Sequence, residues 1–155
     1  MATHLAQLNV GRARYPLDDP RMAGFMNALD RVNAIAERSP GFVWRLTGEG
    51  NDATDLRLGD QTEVMVNMSV WESADALEQF VWNTVHRRVY ERKGEWFAPY
   101  GAPHFVMWPV PAGHRPSLAE AAERLAHLNS HGSSDTAFGW ERLPRLQRWR
   151  EARCA

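Results

Sequence analysis

Between residues 62 and 82 the chain changes its hydrophobic rhythm once, and that change marks two adjoining elements. Val64, Val66, Met68 and Val70 alternate with Met65, Asn67, Ser69 and Trp71, the period-2 pattern of a β-strand whose two faces differ. Ser73 then stands where a helix N-cap belongs, with Asp75 in the first turn. Leu77, Phe80, Val81 and Thr84 follow at helical spacing. A strand feeding directly into a helix, with an amide and an indole on its less apolar face, predicts a sheet that carries a pocket.

The same reading extends along the chain. Residues 4–10 (HLAQLNV) form a short first strand. Asp19 and Pro20 supply an N-cap and the N1 proline that a helix tolerates, and Met22, Phe25, Met26, Leu29, Val32 and Ala36 mark an amphipathic helix to about residue 38. Ser39-Pro40-Gly41 ends it. Phe42, Trp44 and Leu46 alternate with Val43 and Arg45 as a second strand, and the Gly/Asp-rich stretch 48–61 is a surface loop. The second helix runs to about residue 92, residues 94–103 form an aromatic connection broken by Pro and Gly, and 104–110 make a fourth strand. This order, β-α-β-β-α-β, is the ferredoxin-like arrangement with an antiparallel sheet, an α+β fold. A capping box, Ser117 with Glu120, opens an extra C-terminal helix carrying Leu118, Ala121, Ala122, Leu125 and Leu128 on one side. Residues 136–140 read as a short edge strand, and 141–155 as a tail that is either a docking helix or a mobile end. The domain is thus placed at 1–140. With helices expected on one sheet face only, the other face is too apolar to leave in water, which predicts a homodimer.

Composition narrows the function classes. Hydrophobic residues make up 44% and charged residues 24% of the 155 positions, as in ordinary globular proteins. A formal charge of −1 gives no electrostatic reason to expect nucleic acid or an anionic membrane as partner. The single cysteine, Cys154, excludes an intramolecular disulfide and a Cys-based zinc site. No N-terminal charged-then-apolar leader and no run of membrane-span length is present, so a cytoplasmic location is expected. Seven tryptophans in so short a chain suggest a lined ligand cavity as readily as dense packing.

The segments HLAQLNVGR, PRMAGFMNALDRVNAIAERSPGFVWRL, VNMSVWES, FVWNTVHRRVYERKGEWF and WPVPAGHRPSLAEAAERL, in that order, resemble the bacterial domain-of-unknown-function 3291 family over about residues 4–140. That family is similar to the dimeric α+β-barrel superfamily that contains the antibiotic-biosynthesis-monooxygenase-like proteins. The resemblance implies sheets paired across a two-fold axis and a ligand held between sheet and helices. It implies no single reaction, because the superfamily includes cofactor-free oxygenases, haem-degrading enzymes, isomerases and members without known chemistry.

Candidate chemistry follows from both lines. His86, in the family's second-helix pattern, shares a stripe with Trp82 and Tyr90 at i, i+4, i+8 and is the expected general acid–base residue. On a straight helix that stripe points away from Leu77, Phe80 and Val81, so either the helix breaks near Asn83 or His86 is solvated. Asn67, mid-strand, offers an NH2 group to a developing anion, or is satisfied by a neighbouring strand. Asn9 on the first strand invites the same two readings. Trp44, Trp71, Trp82, Trp96 and Trp108 are expected to bind substrate as the walls of an apolar site, with core packing as the competitor. No metal is expected. His127 and His131 have ligand spacing without a third partner. Three functions are expected in this order. The first is a small-molecule enzyme resembling cofactor-free monooxygenases, with no cofactor. The second is a haem protein with His86 as axial ligand, against which counts Phe80 at the position where haem-degrading relatives carry Trp. The third is a non-catalytic dimeric metabolite-binding protein.

Overall fold

The computed structural model of the chain describes residues 2–48, 52, 54, 56, 64–83, 91–99 and 104–142. In chain order the elements are β1 (Thr3–Ala13), α1 (Ala23–Arg38), β2 (Phe42–Arg45), β3 (Val64–Trp71), α2 (Ala74–Asn83), α3 (Lys93–Trp96), β4 (Phe97–Ala98), β5 (Phe105–Pro111) and α4 (Leu118–His131). All strand pairings are antiparallel. β1 lies at the centre, with β3 on one side from Leu5 opposite Trp71 to Arg12 opposite Val64. On its other side β5 pairs from Thr3 opposite Pro111 to Asn9 opposite Phe105, and β4 continues that edge beside Arg12 and Ala13. β2 borders β3. This is the mixed α+β, ferredoxin-like sheet that the alternation predicts.

The caps form as their residue types require. The Asp19 carboxylate accepts from the Arg21 amide at 2.8 Å and opens a short 3-10 turn, Pro20–Met22, that leads into α1. Ser73 Oγ accepts from the Ala76 amide at 3.1 Å at the start of α2, and Ser117 Oγ accepts from the Glu120 amide at 3.1 Å at the start of α4. The turn between α1 and β2 depends on Gly41, at φ 84°, where a β-carbon would collide with Ala76 of α2.

Alternation sorts each strand between two layers. Leu5, Trp71 and Met107 face α1 and α2, packing with Val32, Ala36, Leu77, Phe80, Val81 and Trp82. Ala6, Leu8, Val10, Val64, Val66, Met68, Val70, Val106, Trp108 and Val110 point the opposite way. That second face is not bare. Ala121, Leu125 and Leu128 of α4 lie on it, helped by Val43, Trp44, Leu46 and Leu56. The expectation of helices on one face only is therefore corrected, because the segment after β5 folds back and lays its apolar stripe across the sheet. The ground for expecting a second subunit, an uncovered apolar face, is met within one chain.

Three smaller departures share local causes. The 94–103 connection holds α3 and β4, and β4 pairs with the end of a β1 longer than expected. Between Phe42 and Trp44 the β2–β3 register shifts, so Phe42 joins the α1/α2 layer while Trp44 joins the α4 layer, ending the alternation expected for this strand. Residues 136–140 make isolated bridges, Met107 with Phe138 and Ser134 with Ala137, rather than a strand. No helix among the described residues is long and apolar enough to cross a membrane.

Candidate functional site

On the face toward α1 and α2 the side chains fall into rows across β3, β1 and β5. Trp71, Leu5 and Pro109 form one row, Ser69, Gln7 and Met107 the next, and Asn67, Asn9 and Phe105 the third. The first row is closed. Trp71 is wholly buried, stacked on Phe80 at 5.1 Å between centroids and met edge-on by Phe42 at 5.5 Å.

The second row is polar and buried. Gln7 is 4% exposed and Ser69 7% exposed. An amide and a hydroxyl in such a place must be paired, and they are. Gln7 Nε2 donates to Ser69 Oγ at 2.8 Å and to Asn67 Oδ1 at 2.9 Å, and Trp71 Nε1 donates to Ser69 Oγ at 2.9 Å. The third row opens. Asn67 is exposed although its same-face neighbours along β3, Met65 and Ser69, are buried, and Asn9 and Phe105 directly alongside are half-buried. The pairing of β2 with β3 ends at Ser69, so among the described strands Asn67 has β1 alone beside it, and its exposure marks a place that neither a second strand nor the helix layer covers. No protein hydrogen bond reaches the Asn9 carboxamide among the described residues.

Aromatic rings border the opening. Phe105 stacks on Trp140 at 4.7 Å and 8°, and Trp140 meets Trp82 of α2 at 5.9 Å. Beyond the opposite side, Phe97 lies so close over Gly11 that a β-carbon there would stand 2.8 Å from its ring. Phe25 meets the same Phe97 ring edge-on at 5.0 Å.

The expected site residues are thus divided. Asn9 and Asn67 sit directly opposite one another, with Trp71 beneath the buried row and Trp82 behind Phe105 through Trp140. Trp44 and Trp108 belong to the other layer, because their strand positions face α4. Trp96 is buried near the far end of β1, against Phe25 at 5.7 Å and under the Arg92 guanidinium at 4.8 Å. These three do not wall the Asn9–Asn67 opening. His86 and Tyr90 lie outside the described residues, and so does the tail beyond residue 142. Gln7 is the functional candidate that pattern reading passes over. Its signal was its parity, since a strand position two removed from Asn9 must share Asn9's face.

Another concavity lies elsewhere, a groove of about 500 Å³ between the end of β5 and the first turns of α4, lined in part by Pro109, His114, Glu120 and Arg124. Its central carboxylate is already spent on the protein. Glu120 accepts from Trp108 Nε1 at 2.8 Å and meets His114 Nε2 at 2.7 Å. Partial burial raises the Glu120 pKa, but the bonds from His114 and Trp108 together outweigh that and hold it below the ordinary glutamate value. Among the described residues no group of three or more His, Cys, Asp or Glu side chains could hold a metal ion. His127 and His131 merely stack, at 4.6 Å.

The family described as "Domain of unknown function (DUF3291)" matches residues 4–154. The chain belongs to the DUF3291 family. No curated protein matches this DUF3291 sequence. Among solved structures, a conserved protein from Methanosarcina mazei Go1 is similar with a TM-score of 0.49 at 9% identity, covering 70% of this chain and 92% of that one. SnoaB, a cofactor-independent oxygenase from Streptomyces nogalater, gives 0.48 at 18% identity, covering 74% and 97%. Rv0793 from Mycobacterium tuberculosis gives 0.47 at 14% identity, covering 74% and 99%. The fold of the DUF3291 chain stands on its own strand register.

Proposed function

We propose that the chain is a small-molecule enzyme of the cofactor-independent oxygenase kind, acting on an apolar or aromatic metabolite held between the sheet and helices α1 and α2. The observation that carries the reading is the interrupted burial at Asn67, an exposed carboxamide in mid-strand opposite Asn9, whose carboxamide has no protein hydrogen-bond partner among the described residues, with aromatic rings at the border. In this reading the aromatic border holds the flat body of the substrate. His86 removes a proton from an activated carbon or hydroxyl. The Asn67 NH2 group, with Asn9 opposite, donates to the oxygen that gains negative charge as the proton leaves. Dioxygen is the co-substrate. The reaction class of this proposal is the one named in the description of SnoaB, a cofactor-independent oxygenase.

The test is oxygen uptake by the full chain with a panel of hydroxyaromatic and 1,3-dicarbonyl compounds. Replacing His86 with Ala is expected to reduce the rate by about 10²-fold or more while binding is retained. Replacing Asn67 with Ala is expected to reduce it by about 10²- to 10³-fold. Rates unchanged in both variants would remove the roles given to His86 and Asn67, and absence of oxygen uptake with every compound the chain binds would leave a metabolite-binding protein.

A further inference from the structure

We infer that Gln7 is the positioning residue that sets the polarity of this site, so that it selects ligands presenting an acceptor-only oxygen group, a carboxylate, enolate or phenolate, on a flat apolar body. The inference rests on the reading of the Asn9–Asn67 opening as a small-molecule site and adds the ligand class to it.

The direction of each bond in the buried row carries the argument. An indole N–H only donates, so the 2.9 Å contact from Trp71 Nε1 makes Ser69 Oγ an acceptor. The same oxygen accepts from Gln7 Nε2 at 2.8 Å, and the second N–H of that NH2 group goes to Asn67 Oδ1 at 2.9 Å. A carboxamide has one acceptor end and one donor end. With its oxygen held inward by Gln7, Asn67 turns its NH2 group to the open side. Gln7 itself cannot turn to a ligand, because it is 4% exposed and sits on the central strand directly opposite Ser69. Asn9, directly opposite Asn67, brings a second carboxamide to roughly 5 Å between α-carbons, a span that two oxygens of one ligand can bridge. The chain Trp71–Ser69–Gln7–Asn67 therefore fixes, from inside the protein, which end of an exposed amide the ligand meets.

Two probes of one shape and opposite character test this, 2-naphthoate (acceptors only) and 2-naphthamidine (donors only), titrated against the full chain by tryptophan fluorescence. The wild type is expected to prefer 2-naphthoate by about tenfold or more. Gln7→Met, which removes the inward donor without adding charge, is expected to bring the two affinities within about threefold. Gln7→Glu, an acceptor at that position, is expected to reverse the preference. Near-UV circular dichroism from Trp71 reports whether each variant keeps its packing. Should neither variant fold, the wild type still answers. Side-chain amide exchange followed by NMR should show the Gln7 NH2 protected in the free protein, and the Asn67 NH2 protected only after 2-naphthoate is added. A naphthoate preference that persists in folded Gln7→Met, or an Asn67 NH2 already protected in the free protein, overturns the role of Gln7 alone. Failure of the wild type to bind either probe overturns the role together with the small-molecule reading of the opening.

Discussion

The two faces of the one sheet obey different rules. Toward α4, Ala6, Leu8, Met68, Val70, Val106 and Trp108 are at most 1% exposed, and the Trp108 indole nitrogen in their midst is tied to Glu120. Toward α1 and α2 the same strands carry Gln7, Asn9, Asn67 and Ser69 in adjacent rows, and the burial breaks at Asn67. One face invests its alternate positions in packing, the other sets polar groups against packing. The comparison teaches that stability and binding are separated by a single residue step along each strand.

That separation can be broken experimentally, beginning with the closed face. Trp108→Ala removes a fully buried indole and strips Glu120 of one donor, and is expected to lower unfolding free energy in urea by about 3–5 kcal/mol. Ser117→Ala removes the hydroxyl that accepts from the Glu120 amide and is expected to cost about 1 kcal/mol in the same measurement, through the attachment of α4. Asn67→Ala on the open face leaves one buried Gln7 N–H without its acceptor and is expected to cost about 1 kcal/mol while removing probe binding. A loss as large as that of Trp108→Ala would mean that both faces are packing surfaces. The smallest effect is one of pH. The folded Glu120 carboxyl lies below its ordinary value of 4.5, because the bonds from His114 and Trp108 exceed the opposing effect of burial. Its contribution is therefore complete above that value and is lost as pH falls below it through the folded pKa. Glu120→Gln should flatten the acid limb of a melting-temperature profile, and an unaltered limb would assign acid sensitivity to other carboxylates.

What was legible in the sequence was what is local. The Val64–Trp71 alternation, the Ser73 and Ser117 caps and the Asp19-Pro20 start all describe interactions spanning a few residues, and all form. What was not legible required knowledge of a distant partner. An apolar stripe on α4 does not say which sheet face it will cover. One extra residue in β2 sends Trp44 to the layer opposite Phe42, and no feature of FVWR announces the shift. β4 is two residues long and exists because Arg12 and Ala13 extend β1 to meet it. The tryptophans looked alike as composition but lie in different layers, since parity and register, not residue type, decide a strand side chain's company. Asn67 was singled out for being polar in an apolar run, whereas the parity of Gln7 placed it on Asn9's face and only the pairing of β1 with β3 revealed what it holds.

The placement of β1 has a consequence for how the chain is made. Of the strands in this sheet, the earliest made is the one flanked on both sides in the finished fold, by residues 64–71 and 105–111. Its hydrogen-bonding edges must wait for segments made much later, and contacts of such long sequence separation close slowly. A nascent chain halted before β5 would hold an apolar ribbon with one edge unmatched, the state in which such proteins are most exposed to mispairing and to capture by chaperones.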